Sequence, residues 1–216
     1  MNGIKPETFG NRPSTCPFAT LELAKAQILK VLPVKRVVWL SIERFFSDVY
    51  PLVPYLDEFS FVSNIESMLE SNHLEDVNSE EKFTKLNLKK KLDFAIVGIL
   101  LIVLKFSQES VWVNGDAAKH PDVDYTEEEL YLLEHPINDR VEAVAQMCLS
   151  QFKLFSRCAL PVFQLALLLK EYETINGCSD NTSADSQIYI TMLVQIAVSI
   201  GLNRDPCNFD MMISKG

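Results

Sequence analysis

Cysteines, histidines and carboxylates are the residue types through which this 216-residue chain would perform nucleophilic, metal or acid–base chemistry. Their spacing assembles none of these. The five cysteines, Cys16, Cys148, Cys158, Cys178 and Cys207, are odd in number and far apart, and they include no C-x-x-C pair. Neither a zinc cluster nor a redox motif is therefore encoded. A catalytic thiol needs a neighbouring base and a raised thiolate fraction, whereas Cys148 and Cys158 lie in apolar helical patterns and read as core residues. His73, His120 and His135 stand singly in polar segments, and a metal needs several convergent ligands. Glu127 and Glu128 are adjacent but expected to lie exposed in solvent, outside any cleft where a carboxylate pair would do acid–base work. Gly98 and Gly201 stand alone, so no glycine loop cradles a phosphate. The expectation is no catalytic residue, no metal ligand and no cofactor in this segment. Phe94, Phe152, Phe155, Phe163, Tyr189 and Met192 have another potential. They would line an apolar effector pocket between helices, or simply fill the core.

Helices must position all of these residues. Pro6, Pro13 and Pro17 mark residues 1–34 as a lead-in that holds one short helix, Leu21 to Val31, stopped near Pro33. Val38, Ile42, Phe45 and Val49 share one face of a helix from Lys35 to Val49. Tyr50-Pro51-Leu52-Val53-Pro54 breaks it, because proline lacks the amide donor and restricts the residue before it. Phe61, Ile65, Met68 and Leu69 define a third helix over Asp57 to Glu70. Residues 71–84 are polar and acidic and read as a surface loop. A long helix from Leu86 to Phe106 is apolar nearly all round from Phe94 to Leu104, eleven residues. A bilayer span needs about 20, so this run belongs at the centre of a core. Lys85, Lys89, Lys90 and Lys91 fall at its start, the unfavourable end of the macrodipole for cations, and are expected to meet acidic neighbours or water.

Thr126-x-x-Glu129 is a capping-box pattern opening a helix to Leu133. Val141, Val144, Ala145, Cys148, Phe152 and Phe155 stripe a helix from Ile137 to Phe155. Pro161 suits the first turn of the next, which runs to Glu173. The last spans Ala184 to Ile200 and is expected to bury Ile188, Met192, Leu193, Ile196 and Ile200. Gly201 falls where a left-handed residue closes a helix, with Leu202 as the apolar contact beyond it. Pro206 prevents an immediate restart, which leaves Arg204 and Asp205 in a fixed turn as a brace or a contact. No strand-like alternation or hairpin signal is present. The predicted fold is all-α, a multi-helix array of stacked antiparallel helix pairs.

Composition narrows the function classes. An apolar fraction of 48% supports a sizeable core. A net charge of −9 and a pI near 4.9 disfavour direct contact with nucleic acid, which calls for a basic face. Between Glu109 and Glu142, ten acidic residues oppose Lys119 and Arg140, a solvated face or a contact for a basic partner. No apolar run near Met1 suggests a signal peptide. With these cysteines the expectation is a reducing, intracellular setting, in which the Asn181-Thr182-Ser183 glycosylation pattern is fortuitous.

Three segments resemble, in order, the fungal regulatory domain called the middle homology region of zinc-cluster (Zn2Cys6) transcription factors. They are Phe45-Phe46-x-x-Val49-Tyr50-Pro51-x-x-Pro54-x-x-Asp57, Ala95-Ile96-Val97-Gly98-Ile99-Leu100-Leu101, and Ala197-Val198-Ser199-Ile200-Gly201-Leu202-Asn203-Arg204-Asp205-Pro206. The last is similar to the family's "GLHRDP" signature, with Asn203 at the position usually held by His. The style is similar to the branch with haem-responsive, drug-resistance and chromatin-remodelling members. The resemblance implies that residues 35–216 are the N-terminal portion of such a domain, a fragment lacking the zinc cluster. It assigns the motif positions Tyr50, Pro51, Pro54, Asp57, Gly201, Leu202, Arg204, Asp205 and Pro206.

It further implies a non-catalytic regulatory and protein-interaction domain of a nuclear transcription regulator, with response to an effector as an option. Zinc and DNA contact would belong to a separate upstream module, partners would be proteins or a second copy, and no membrane is involved. The alternatives are a structural subunit of a chromatin-bound complex, and a helical ligand carrier or enzyme.

Overall fold

The computed structural model describes residues 17–114, 125–152, 159–176 and 183–204. Among them the protein is all-α, a multi-helix array with no strand. The helices are α1 (Pro17–Val31), α2 (Lys35–Arg44), α3 (Glu58–Leu69), α4 (His73–Asp76), α5 (Asp93–Asn114), α6 (Glu127–Glu134), α7 (Val141–Ser150), α8 (Leu160–Ile175) and α9 (Ser183–Ser199). A π-helical turn, Phe45–Val49, continues α2.

The array is built around α5, which packs most extensively on α7 and α8 and also meets α2, α3 and α6. Its side chains from Phe94 to Ser107, the half-buried Ile96 aside, are buried on every face. By length and composition Asp93–Val111 would also cross a bilayer, but 83% of that apolar window is buried inside the protein. A core helix accounts for it. Gly98 sets how close the neighbours come. A Cβ there would lie 2.7 Å from Leu165 Cδ2 on α8 and 3.1 Å from Cys148 Cβ on α7.

Helix α5 begins seven residues later than its apolar pattern suggests, because the chain before it has other bonds to make. Leu86 is buried, and the Asn87 amide donates to the Met68 carbonyl at 2.8 Å, which satisfies one of the last carbonyls of α3. The Asp93 carboxylate then accepts the amides of Lys89 and Lys90 at 2.7 and 2.8 Å. At the other end α5 runs eight residues past Phe106, through a serine. The Ser107 hydroxyl bonds back to the Val103 carbonyl at 3.0 Å and across to the Ser41 carbonyl at 2.5 Å, so this buried polar group does not end the helix.

Residues 71–84, expected as a solvated loop, are a strap fastened over α2. The Lys35 and Arg36 amides, orphan donors of the first turn of α2, donate to the Glu81 and Ser79 carbonyls at 2.9 and 3.0 Å. Val34 and Lys82 form an isolated bridge, Phe83 is buried, and α4 supplies one helical turn. Such bonds depend on residues more than 40 positions apart and leave no local pattern. The capping box at Thr126 and Glu129 is present with both reciprocal bonds. The apolar stripes of α2, α3 and α7 are buried where periodicity puts them, up to Cys148. Helix α7 opens later than expected, at Val141, whose amide donates to the Asn138 carbonyl at 3.0 Å.

Close approach at Gly98 makes a testable demand. Gly98→Ala gains about 1 kcal/mol of helix propensity but overpacks a site where such insertions cost about 1–3 kcal/mol. We expect a net loss of about 1 kcal/mol for alanine and about 3 kcal/mol for Gly98→Val, each kcal/mol lowering Tm by about 2–4 °C. Urea midpoints measure this. In a Leu165→Ala background the alanine substitution should turn neutral or stabilising. Stabilisation by Gly98→Ala in the unmodified chain would show that contact with Leu165 is not limiting.

Candidate functional site

The first motif segment forms a corner between the π-helical turn and α3. The Tyr50 amide reaches back five residues to the Phe45 carbonyl at 2.7 Å. This wider turn brings aromatic rings together: Phe46 lies 5.5 Å from Tyr50 and 6.1 Å from Phe61, and Phe45 lies 6.3 Å from Phe106. Pro51 and Pro54 are exposed, while Val53 and Leu56 between and after them are buried anchors. Asp57 caps α3, accepting the Ser60 amide at 2.9 Å, and its bonds to Ser60 hold its pKa below the usual value. Gln164 of α8 donates to the Tyr55 carbonyl at 2.6 Å and ties the corner down. The geometry is that of a structural corner.

The second corner closes α9. The Gly201 amide donates to the Val198 carbonyl at 3.1 Å and the Leu202 amide to the Ala197 carbonyl at 3.0 Å. This is a Schellman closure, and Gly201 takes the φ of +85° that it requires. Leu202, expected to pack beyond it, is exposed, and so is Arg204. Asp205 and Pro206 lie outside the described residues.

Helix α9 departs most from expectation. Leu193 and Ile196 are buried and Met192 and Ile200 are half-buried, but Ile188 is 68% exposed. Ile190, Val194 and Val198, at 53, 54 and 47% exposure, form an i, i+4 row on the open side. α8 is the principal neighbour of α9, so one face suffices for packing and the other stays apolar in solvent. No charged residue occurs from Gln187 to Asn203.

The expected pocket residues that are described sit at the start of α5, just past α7, and on α8 and α9. Phe94 is buried at the start of α5 and lines a cleft of about 410 Å³ with Leu21, Leu88, Lys89, Lys90, Lys91 and Gln151. Phe152 is half-buried beside it, with the Lys91 ammonium 5.3 Å from its ring centre. Phe163, Tyr189 and Met192 do not line that cleft. They belong to the α8 and α9 layer, where the Tyr189 hydroxyl donates to the Ala166 carbonyl at 3.1 Å and burial pushes its pKa up to about 12. Phe155 lies outside the described residues. Cys148 is a buried free thiol whose pKa burial pushes up to about 12, the opposite of an activated nucleophile. Cys16, Cys158, Cys178 and Cys207 lie outside the described residues. Among the described residues no group of three or more His, Cys, Asp or Glu is placed to hold a metal.

Two polar networks went unread in the sequence. Arg44 joins three elements: its Nε donates to Ser110 Oγ of α5 at 2.9 Å, its Nη1 to Glu129 of α6 at 2.8 Å, and its Nη2 lies 3.2 Å from Asp48. The Arg44–Asp48 spacing of i, i+4 was the one local signal, and it pointed only to a surface pair. The other network fastens the strap. Lys35 donates to Asp76 Oδ1 at 3.0 Å, Ser71 donates to Asp76 Oδ2 at 2.5 Å, and the fully buried Trp39 donates through Nε1 to Ser71 Oγ at 3.2 Å. Burial alone would raise the Asp76 pKa, but the bonds from Ser71 and Lys35 outweigh it and hold the carboxyl below its ordinary 3.8. The bond to Asp76 likewise raises Lys35 above its ordinary 10.5.

Because the folded pKa of Asp76 is depressed, its contribution is fully present above about pH 4 and is lost as pH falls through the lowered folded value. Asp76→Asn is expected to cost about 2 kcal/mol near neutrality, the scale of charge-assisted hydrogen bonds. Urea titrations across pH check this. The gap from the unmodified chain should close in acid, and a constant gap would mean that the ionised form is not what fastens the strap.

No family model matches the chain, and no solved structure matches it. Named proteins do. Multidrug resistance regulator 1 of Candida albicans is 35% identical over 191 residues, covering 85% of this chain and 17% of that protein. Transcription factor MAR1 of Candida glabrata is 26% identical over 231 residues, covering 86% of the chain and 17% of its own length. Heme-responsive zinc finger transcription factor HAP1 of Saccharomyces cerevisiae is 27% identical over 239 residues, with shares of 87% and 16%. The chain thus spans only 16–17% of the length of these relatives. Over most of its own length its homologues are fungal zinc-cluster transcription factors.

Proposed function

We propose that the chain is a regulatory and protein-interaction domain of a fungal nuclear transcription regulator, working without catalysis. The carrying observation is the similarity over 85% of the chain to a multidrug resistance regulator. One relative is named as heme-responsive and another as a multidrug resistance regulator, which supports a domain whose populations shift with an effector or partner. The uncharged row on α9 supplies the contact surface for a protein partner, since neighbouring apolar side chains held in solvent mark interaction sites. With a net charge of −9 the domain leaves DNA contact to another module.

The test is a reporter assay with residues 1–216 fused to a heterologous DNA-binding module. The fusion should change expression several-fold. The double variant Ile190→Glu, Val194→Glu should abolish that change while keeping its helical circular dichroism, because both positions are about half exposed. A fusion that leaves the reporter at the level of the DNA-binding module alone would refute the regulatory reading. A separate mobility-shift titration of the unfused domain should show no salt-sensitive retention of duplex DNA.

A further inference from the structure

Three consecutive cations stand where α5 does not need them. Lys89, Lys90 and Lys91 are exposed just before the helix, and cations at that end oppose the macrodipole. Acidic residues outnumber basic ones 29 to 20 in this chain. Even so, none of the three ammonium groups pairs with a carboxylate among the described residues. The nearby Asp93 carboxylate is turned to the backbone, holding the amides of Lys89 and Lys90. The lysine side chains rim the cleft of about 410 Å³ described above, and its floor is apolar: Leu21 from α1, Leu88, and Phe94 from α5. Gln151, past the end of α7, supplies an amide at its edge.

We propose that this cleft docks an acidic peptide segment carrying an aromatic or aliphatic anchor. The anchor enters between Leu21, Leu88 and Phe94, and the flanking carboxylates meet the three ammonium groups. Charge complementarity selects the occupant. The lysines are a local positive patch on a strongly acidic domain, so an acidic chain repelled elsewhere is attracted here. Exposed ion pairs contribute little each, so the anchor supplies most of the affinity and the lysines supply orientation and encounter rate. A duplex phosphate backbone fits poorly, because it needs an extended basic face and the chain carries a net charge of −9. The site is separate from the α9 row and does not rest on the regulatory reading.

Fluorescence anisotropy tests it, with the full chain titrated into a fluorescein-labelled peptide in which Asp and Glu alternate with Phe and Leu. Saturable micromolar binding is expected. The Lys89→Ala, Lys90→Ala, Lys91→Ala triple variant should weaken it at least tenfold without moving the urea midpoint, since all three side chains are exposed. Raising the salt from about 50 mM to about 500 mM should weaken it as well. A peptide with Asn and Gln in place of Asp and Glu should bind poorly. Absent saturation, equal binding by the triple variant, or equal binding of the neutral peptide would each overturn the proposal. Tighter, lysine-dependent binding of phosphatidylserine vesicles that displaces the peptide would also overturn it, by reassigning the cleft to a membrane surface.

Discussion

The approach of α7 and α8 to α5 at Gly98 is the constraint from which the rest of the array follows. A helix that is apolar all round has no solvent face to orient it, so its neighbours must enclose it. The missing side chain at Gly98 lets Leu165 and Cys148 reach the helix surface. Interiors pack at near-crystalline density, so a contact this tight fixes the distance at which the flanking helices lie. Once α5 is enclosed, α2 and its π-helical turn, α3 and α6 find their places against what remains of its surface.

Around that apolar centre the fold is held by fastenings that join distant parts of the chain. The strap after α3 satisfies the open amides at the start of α2 and a carbonyl at the end of α3, which would otherwise be unpaired near the core. Asp76 and Arg44 do the same with charge, each serving partners on separate elements. These are partly buried, hydrogen-bonded ion pairs, the kind in which loss of one partner strands the other. The charge at these two sites serves the fold.

What remains outside these structural duties is the surface with a claim on function. The two family corners turn out to be builders: one caps α3 and is bonded to α8, and the other closes α9 with a glycine in the left-handed region. The features left over are the uncharged row of α9 and the lysine-rimmed cleft. One offers apolar area with no charge to solvate it, and the other offers ammonium groups that no carboxylate among the described residues neutralises.

Local rules made much of this legible. Helical periodicity placed the buried stripes of α2, α3 and α7, Thr126 and Glu129 announced their capping box, and Gly201 announced a helix end. These depend on neighbours within a turn or two, which a chain carries in its order of residues. The start of α5, the fastening of residues 71–84 and the roles of Arg44 and Asp76 depend on partners up to 85 positions away. Which apolar residues of α9 are buried was equally beyond local reading, because Ile188 and Ile196 look alike in a helical pattern. The sequence by itself therefore determined an all-α body, its principal helices and its kinship. Only the tertiary arrangement, by giving α9 a single principal neighbour and leaving three lysines without a carboxylate among the described residues, decided which side chains are exposed, since burial and pairing belong to the packed chain as a whole.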